Sequence, residues 1–169
     1  MSVDNTDRQI VALLHQNGRL SQEQIAQHVH LSRPAVHERI KHLEEQDILR
    51  GYQEVIDWSA LNLPLMAFVW VRAHTAQISC NETSAMIMGL SWAEALIEEC
   101  HRVTGEWCML LKVRVASPLA LQNLIDRIRA LSSVEATNTT IVLSTLHEHG
   151  PQPQEIACST EDPVGEKKA

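Results

Sequence analysis

Residues 21–52, SQEQIAQHVHLSRPAVHERIKHLEEQDILRGY, decide the fold of the first part of this chain. Ser21 and, three positions later, Gln24 are typical of a capping box at the start of a helix. Ser32 predicts the N-cap of a second helix, and Pro34 lies in its first turn, where a missing N–H group costs nothing. Only two residues separate these helices, which predicts a helix-turn-helix. Such a unit places the exposed start of its second helix in the DNA major groove.

Apolar residues repeat at helical spacing and predict one buried face on each helix. An earlier segment, about residues 7–16, has the same pattern and stops at Asn17-Gly18, a good helix end. We expect it to pack under the other two helices and complete a three-helix core. Residues 48–56 predict a short β-wing, with Gly51 permitting its turn. The core residues expected from these helices are Ile10, Leu13, Leu14, Ile25, Ala26, Val29, Val36, Ile40 and Leu43.

The pattern changes after residue 64. Residues 66–72 are continuously apolar except at Arg72, which is typical of a strand covered by helices on one side and by something else on the other. Further elements follow in the order helix, strand, strand, helix, strand. This βαββαβ order is the ferredoxin-like arrangement. The elements are a weak helix near 81–88, strands over 95–103 and 108–115, a helix capped by Ser117, and a β-branched strand over 137–146.

These patterns predict an α+β protein in four parts. They are a winged helix-turn-helix domain (1–56), a linker (57–64), a ferredoxin-like domain (65–149) and a tail (150–169). The tail has three prolines and two glycines and is expected to be disordered. Helices cover only one face of a ferredoxin-like sheet, and the other face keeps apolar residues such as Leu110. Stacking two copies would bury that face, so we expect a homodimer.

The charge balance bears on DNA binding. The formal net charge is −7, and residues 1–56 contain six Lys/Arg against eight Asp/Glu. One subunit should therefore bind DNA weakly, because phosphate neutralisation supplies most non-specific affinity. Several copies acting together would strengthen binding through effective concentration, so oligomerisation is expected. The alternative is a metabolite-binding regulatory module with weak or no productive DNA binding.

Other classes of protein receive less support. The four cysteines show no CxxC pairing, and the nine histidines are best explained as surface residues. Phosphate-loop, dinucleotide-binding and nucleophile-elbow motifs are absent from the sequence. We therefore expect no catalytic residue, metal or cofactor, and an enzyme is the weakest alternative. Neither a signal peptide nor an apolar run of ~18 residues is present, so we expect a cytoplasmic protein without a membrane partner.

Residues 4–147 resemble the Lrp/AsnC family of transcriptional regulators. A helix-turn-helix alone would be a moderate signal, but the chain also has the family's HRVTG segment (101–105) and a late TxTxIVL strand (137–143). The resemblance implies a winged helix-turn-helix followed by an effector-sensing domain of the type known as RAM. It also implies dimers that assemble into octamers or other multimers, with amino acids or related metabolites as effectors. Matches in the first half are Asp7, Ile10, Asn17-Gly18-Arg19, Ser21, Ile25-Ala26, Leu31-Ser32, Ala35-Val36, Arg39-Ile40, Leu43-Glu44 and Gly51-Tyr52.

The resemblance implies that the second helix of the motif contacts double-stranded DNA. Arg33 and His37 lie one turn apart, where they can reach base edges, and arginine suits a bidentate guanine contact. Lys41 and Arg50 are expected to bind phosphates. Arg39 is expected either to contact DNA or to form a structural ion pair. The full predicted set is Arg19, Ser21, Ser32, Arg33, His37, Arg39, Lys41 and Arg50.

The resemblance also implies an effector site at the turn after the second strand of the RAM-like domain and at threonines of the last strand. Glycine exposes backbone groups there, and threonine hydroxyls can bind a carboxylate. Family members commonly have an aspartate where this chain has Cys108, and Glu106 is the alternative partner for a ligand's ammonium group. A different ligand, no ligand, or a redox role for Cys108 are further alternatives. The predicted residues are Thr104, Gly105, Glu106, Trp107, Cys108, Thr137 and Thr139.

Overall fold

Three helices make up the first part of the chain: α1 (Asn5–Gln16), α2 (Gln22–Val29) and α3 (Arg33–Glu45). The computed structural model describes residues 3–74 and 78–146. They form two units, one up to Val55 and one from Ile56 to Leu146. The predicted three-helix core is confirmed, except that Leu13 and Val29 are only partly buried beside it. Its buried residues are Ile10, Leu14, Ile25, Ala26, Val36, Ile40 and Leu43.

Side-chain caps determine the turn between α2 and α3. The Ser21 hydroxyl accepts a hydrogen bond from the Gln24 N–H, and the Gln24 side chain accepts one from the Ser21 N–H, as predicted. Ser32 caps α3 through the N–H of Ala35. His30 ends α2 in the left-handed conformation, with φ 54°, which turns the chain within three residues. The predicted helix-turn-helix is therefore confirmed.

The helix α1 starts slightly earlier than predicted. Asp4 is its N-cap and accepts a hydrogen bond from the Asp7 N–H, while the Asp7 carboxylate accepts one from the Asp4 N–H. This reciprocal cap satisfies two N–H groups that a helix start otherwise leaves unpaired. Asn5 is consequently the first helical residue.

The predicted β-wing is not formed. Residues 50–57 have no regular secondary structure, and within the described part of the chain no strand pairs with them. Tyr52 and Val55 are exposed. Their aromatic and β-branched side chains favour a strand, but a strand also needs a neighbour to receive its backbone hydrogen bonds.

A four-stranded antiparallel sheet forms the second unit, in the order β2-β3-β1-β4. The predicted βαββαβ order is confirmed, so the ferredoxin-like topology is too. No helix within residues 3–74 and 78–146 is long and apolar enough to span a bilayer. The elements are β1 (Leu65–Ala73), α4 (Cys80–Met88), β2 (Ala95–Arg102), β3 (Met109–Val115), α5 (Pro118–Arg129) and β4 (Val134–Ile141).

The two faces of the sheet differ as predicted. Alternate residues of β1 and β3 are buried against the helices, including Val69 and Leu111, which are both inaccessible. The opposite face, here named the outer face, carries the intervening residues, which are partly buried except for Arg114, which is buried. Its apolar members on β1 and β3 are Met66, Phe68, Trp70 and Leu110.

The last strand occupies Val134–Ile141 rather than 137–146. Its partner β1 sets both limits, because Ala73 pairs with Val134 and the final ladder bond runs from the Val142 N–H to the Met66 carbonyl. Pro64 precedes β1 and has no N–H with which to extend the ladder. The predicted tail, 150–169, lies outside the described residues.

Candidate nucleic-acid interface and effector site

The first turns of α3 present an exposed polar face. Arg33, His37 and Lys41 are all exposed and follow one another at intervals of four residues, so they lie on one side of the helix. The start of this face borders an open concavity of ≈ 560 Å³ that is lined by Gln22, Arg33, Pro34 and His37. Because Ser32 fixes the beginning of α3, the positions of these side chains are set by a regular helix rather than by a loop.

Gln22 was not among the predicted site residues. Its side-chain nitrogen Nε2 lies 3.0 Å from His37 Nδ1, and Gln22 is the first residue of α2. An amide nitrogen only donates, so Gln22 donates this hydrogen bond and Nδ1 accepts it. The two residues are 15 positions apart, and only the tight turn brings them together. No pattern within either helix indicates this contact.

Arg39 makes a different type of contact. Its Nη1 lies 2.8 Å from Asp4 Oδ2 and 2.6 Å from Asp7 Oδ1, and so joins α3 to the capping box of α1. The Asp7 N–H and the Arg39 guanidinium hold the pKa of Asp4 below its usual value. Hydrogen bonds from Arg39 to Asp4 and Asp7 raise the pKa of Arg39. Arg39 was predicted either to contact DNA or to form a structural ion pair. These contacts are those of a structural ion pair.

The other predicted DNA-binding residues are distributed around α3. Lys41 lies 3.8 Å from Glu45, but both side chains are more than half exposed, so this pair holds the lysine only weakly. Arg19 is exposed in the loop between α1 and α2, and Arg50 is exposed beyond α3. Ser21 and Ser32 use their hydroxyl groups as caps. Arg33, His37 and Lys41 therefore share one exposed face of α3, whereas Arg19 and Arg50 lie outside this helix.

Arg72 is the centre of the predicted effector region, although it was not in the predicted set. Its Nη1 lies 2.6 Å from Glu106 Oε1, and its Nε lies 3.3 Å from Glu135 Oε2. The guanidinium also lies over the Trp107 ring, 5.4 Å from its centroid. Glu106 is therefore already engaged by a cation. The signal in the sequence was that Arg72 is the single charge in the apolar run of β1.

Cys108 is held against the backbone of β1. Its N–H and its thiol both donate to the Val71 carbonyl, at 3.0 and 3.4 Å. A thiol in this position supplies no negative charge for an ammonium group, unlike an aspartate. The neighbouring thiol of Cys100 has its pKa raised, first by burial and then by Cys108. A raised pKa disfavours the thiolate, and this does not support a reactive cysteine pair.

The structure separates the predicted effector residues into two groups. Thr137 pairs with Val71 and Thr139 with Val69, so both threonines lie on the helix-covered side of the sheet. Arg72 follows Val71 and therefore projects from the outer face, together with its partners Glu106 and Trp107. Thr104 and Gly105 are exposed in the turn, where Gly105 has a φ of 106° that disfavours other residues.

The chain matches two family models and many known proteins. The model of the Lrp/AsnC ligand binding domain matches residues 66–152, and that of the AsnC-type helix-turn-helix domain matches residues 3–44. The HTH-type transcriptional regulator LrpA of Mycobacterium tuberculosis is 33% identical over 146 residues, covering 86% of this chain and 93% of the relative.

The fold of this chain also matches solved structures of transcriptional regulators. A feast or famine regulatory protein of M. tuberculosis in complex with L-methionine has a TM-score of 0.77 and 32% identity, over 87% of this chain and 96% of that one. A transcriptional regulator of Neisseria meningitidis, also in complex with L-methionine, has a TM-score of 0.77 and 28% identity. The match covers 91% of this chain and 98% of the Neisseria chain.

Proposed function

The chain belongs to the Lrp/AsnC family of DNA-binding transcriptional regulators, and from this premise we propose that α3 reads operator bases in the major groove. The relatives are regulators rather than enzymes. The observation that supports the proposal most directly is the exposed face of Arg33, His37 and Lys41 on a helix with a fixed, capped start. We propose that this regulator acts in the cytoplasm.

Each side chain on this surface has a separate proposed task. Arg33 makes a bidentate contact with a guanine, and His37 contacts a neighbouring base. Lys41, Arg19 and Arg50 bind phosphates, which orient the protein without specifying sequence. Ser21 and Ser32 keep the starts of both helices in place, where the unpaired N–H groups at the helix starts also favour phosphate. Arg39 is assigned to the structural ion pair instead of to DNA.

We propose that the protein binds DNA as an oligomer. The helix-turn-helix unit has more acidic than basic residues, so one copy is weakly attracted to phosphate. The outer face is only partly buried and has apolar side chains at Phe68, Trp70 and Leu110, which a second copy would cover. Dimers of this kind pair two α3 helices for a palindromic operator. We propose that these dimers assemble further into an octamer or another multimer, which the family resemblance supports.

We propose further that an amino acid or a related small molecule binds near the turn between β2 and β3. Two relatives were solved with L-methionine. In this chain the region of that turn contains Arg72 for a carboxylate and Glu106 and Glu135 for an ammonium group. This pairing compensates for the uncharged Cys108. Thr104 and Gly105 supply backbone and hydroxyl groups at the turn. Trp107 borders the site, and Thr137 and Thr139 are retained as contacts from a neighbouring copy.

The test is binding of the full-length protein to its own upstream DNA, measured by fluorescence anisotropy over a range of salt concentrations. We expect an affinity that falls with salt, because phosphate contacts release counterions. Arg33→Ala should lose specific binding, and Arg8→Ala, an exposed arginine of α1, is the matched control. If the wild-type protein shows no salt-sensitive binding in any oligomeric state, DNA binding is ruled out as its function, and the alternative of a metabolite-binding module is favoured.

A further inference from the structure

We propose that Gln22 determines which hydrogen-bonding role His37 presents to DNA, so that the two residues together select one base of the operator. The inference rests on the proposed function, because it concerns the same helix and groove. Gln22 of α2 thereby becomes part of the recognition surface, and its contact with His37 determines which base is rejected.

Both partners are held by regular structure. Gln22 is the first residue of α2, directly after the capping pair of Ser21 and Gln24, and its side chain is half-buried. His37 lies in the second turn of α3, which starts at the Ser32 cap. The caps fix the two helix starts on either side of the tight turn, and across it Gln22 Nε2 lies 3.0 Å from His37 Nδ1.

This contact selects one tautomer of the ring. Because the Gln22 amide donates to Nδ1, that nitrogen has no proton, and the proton of the neutral imidazole is then on Nε2. His37 is exposed and borders the open concavity, so a base edge can approach the ring. The group offered to DNA is therefore an N–H donor.

A donor distinguishes among the bases in the major groove. Guanine offers two acceptors there, O6 and N7, and adenine and thymine offer N7 and O4, whereas cytosine offers only its amino group, a donor. A fixed Nε2–H therefore favours guanine and rejects cytosine. Without the Gln22 contact the ring adopts either tautomer, and an acceptor Nε2 can pair with the cytosine amino group.

The direct test is the tautomer in the free protein. Long-range proton–nitrogen NMR spectra of the histidine-labelled full chain, at a pH where imidazole is neutral, should show the His37 proton on Nε2. Gln22→Met should give a mixture of both tautomers. Gln27→Met is the matched control, since Gln27 is exposed on the same helix, and it should leave the wild-type spectrum unchanged. A wild-type proton on Nδ1 would overturn the inference without involving DNA.

The second test is base preference. We expect selection from a random DNA pool to give one position per half-site where the wild type prefers guanine over cytosine by roughly tenfold or more, in line with a good base contact. Gln22→Met should reduce this preference to about twofold and leave the base preferences at the other positions unchanged. The dependence of affinity on salt concentration should also stay the same, since phosphate contacts set it. Gln27→Met should behave as wild type.

A double-mutant cycle completes the design. If Gln22 acts through His37, then Gln22→Met in a His37→Asn background should have no further effect on the guanine preference. If Gln22→Met instead weakens binding equally to every DNA sequence, then Gln22 has only a structural role. That result would overturn the inference but not the proposed function. Absence of wild-type DNA binding would overturn the proposed function as well, so the two failures are distinguishable.

Discussion

At the residue scale, the contact of Arg39 with Asp4 and Asp7 predicts how stability changes with pH. The pKa of Asp4 is lowered from 3.8 by the Asp7 N–H and then by Arg39. Such a group stabilises the fold above its unfolded pKa, and the stabilisation is lost as the pH falls through the lowered, folded pKa. Arg39 stays charged throughout, because the same carboxylates raise its pKa.

Asp4→Asn separates the charge of Asp4 from its cap. Asparagine is an equally good N-cap, so the helix start is kept while the ion pair is lost. We expect the wild type to melt at a higher temperature than Asp4→Asn at pH 7, and the difference to shrink as the pH falls below about 4. Asp126→Asn, an exposed change on α5, is the control and should show a smaller pH dependence. A wild-type advantage that stays constant down to pH 2 would contradict the role of the charge.

Arg72 is the residue on which the effector proposal depends. We expect an amino acid such as L-methionine to raise the melting temperature of the wild type, since a ligand that binds only the folded state stabilises it. Arg72→Gln should abolish that rise, because the group for the ligand's carboxylate is removed. Arg102→Gln, at the exposed end of β2, should retain it. If no amino acid changes the wild-type melting temperature, the amino-acid effector is the wrong class of ligand.

At the element scale, Ser32 allows the stability of α3 and the affinity for DNA to be varied separately. Ser32→Ala removes the hydroxyl that caps the helix and should cost about 1 kcal/mol of unfolding free energy. Ser32→Asp keeps a capping oxygen but brings a negative charge to the surface proposed to meet phosphate. It should unfold like the wild type and bind DNA at least tenfold more weakly. Chemical denaturation and anisotropy together check this. If Ser32→Asp binds DNA as tightly as the wild type, the start of α3 does not approach the phosphates.

The elements also show how far a sequence pattern predicts this structure. The alternation of Met109, Leu111 and Val113 was sufficient to identify the buried face of β3, because the cause is local. The wing prediction failed because a strand needs a neighbour, and no pattern within residues 48–56 supplies one. The same holds for the site. The Arg33–His37 face follows from helical spacing, whereas the contact of Gln22 with His37 depends on how two helices meet across the turn.

The acidic charge balance and the partly buried outer face both bear on how copies of the protein assemble. A chain with net charge −7 gains little from phosphate per copy, so its affinity should depend on how many copies bind together. The apolar side chains of Trp70 and Leu110 are in register on the two central strands, on the outer face that a second copy would cover.

Leu110→Glu tests that dependence, because it places a charge in the proposed interface. We expect this variant to sediment as a smaller species than the wild type and to bind a two-half-site operator roughly 10²-fold more weakly, as the gain from joining two binding units is lost. Leu119→Glu introduces the same charge at an exposed leucine of α5, away from the outer face, and is the matched control for dimer formation. Circular dichroism should show that both variants remain folded. If Leu110→Glu sediments as the wild type does, the outer face is not the dimer interface, and the copies that strengthen DNA binding must meet through another surface.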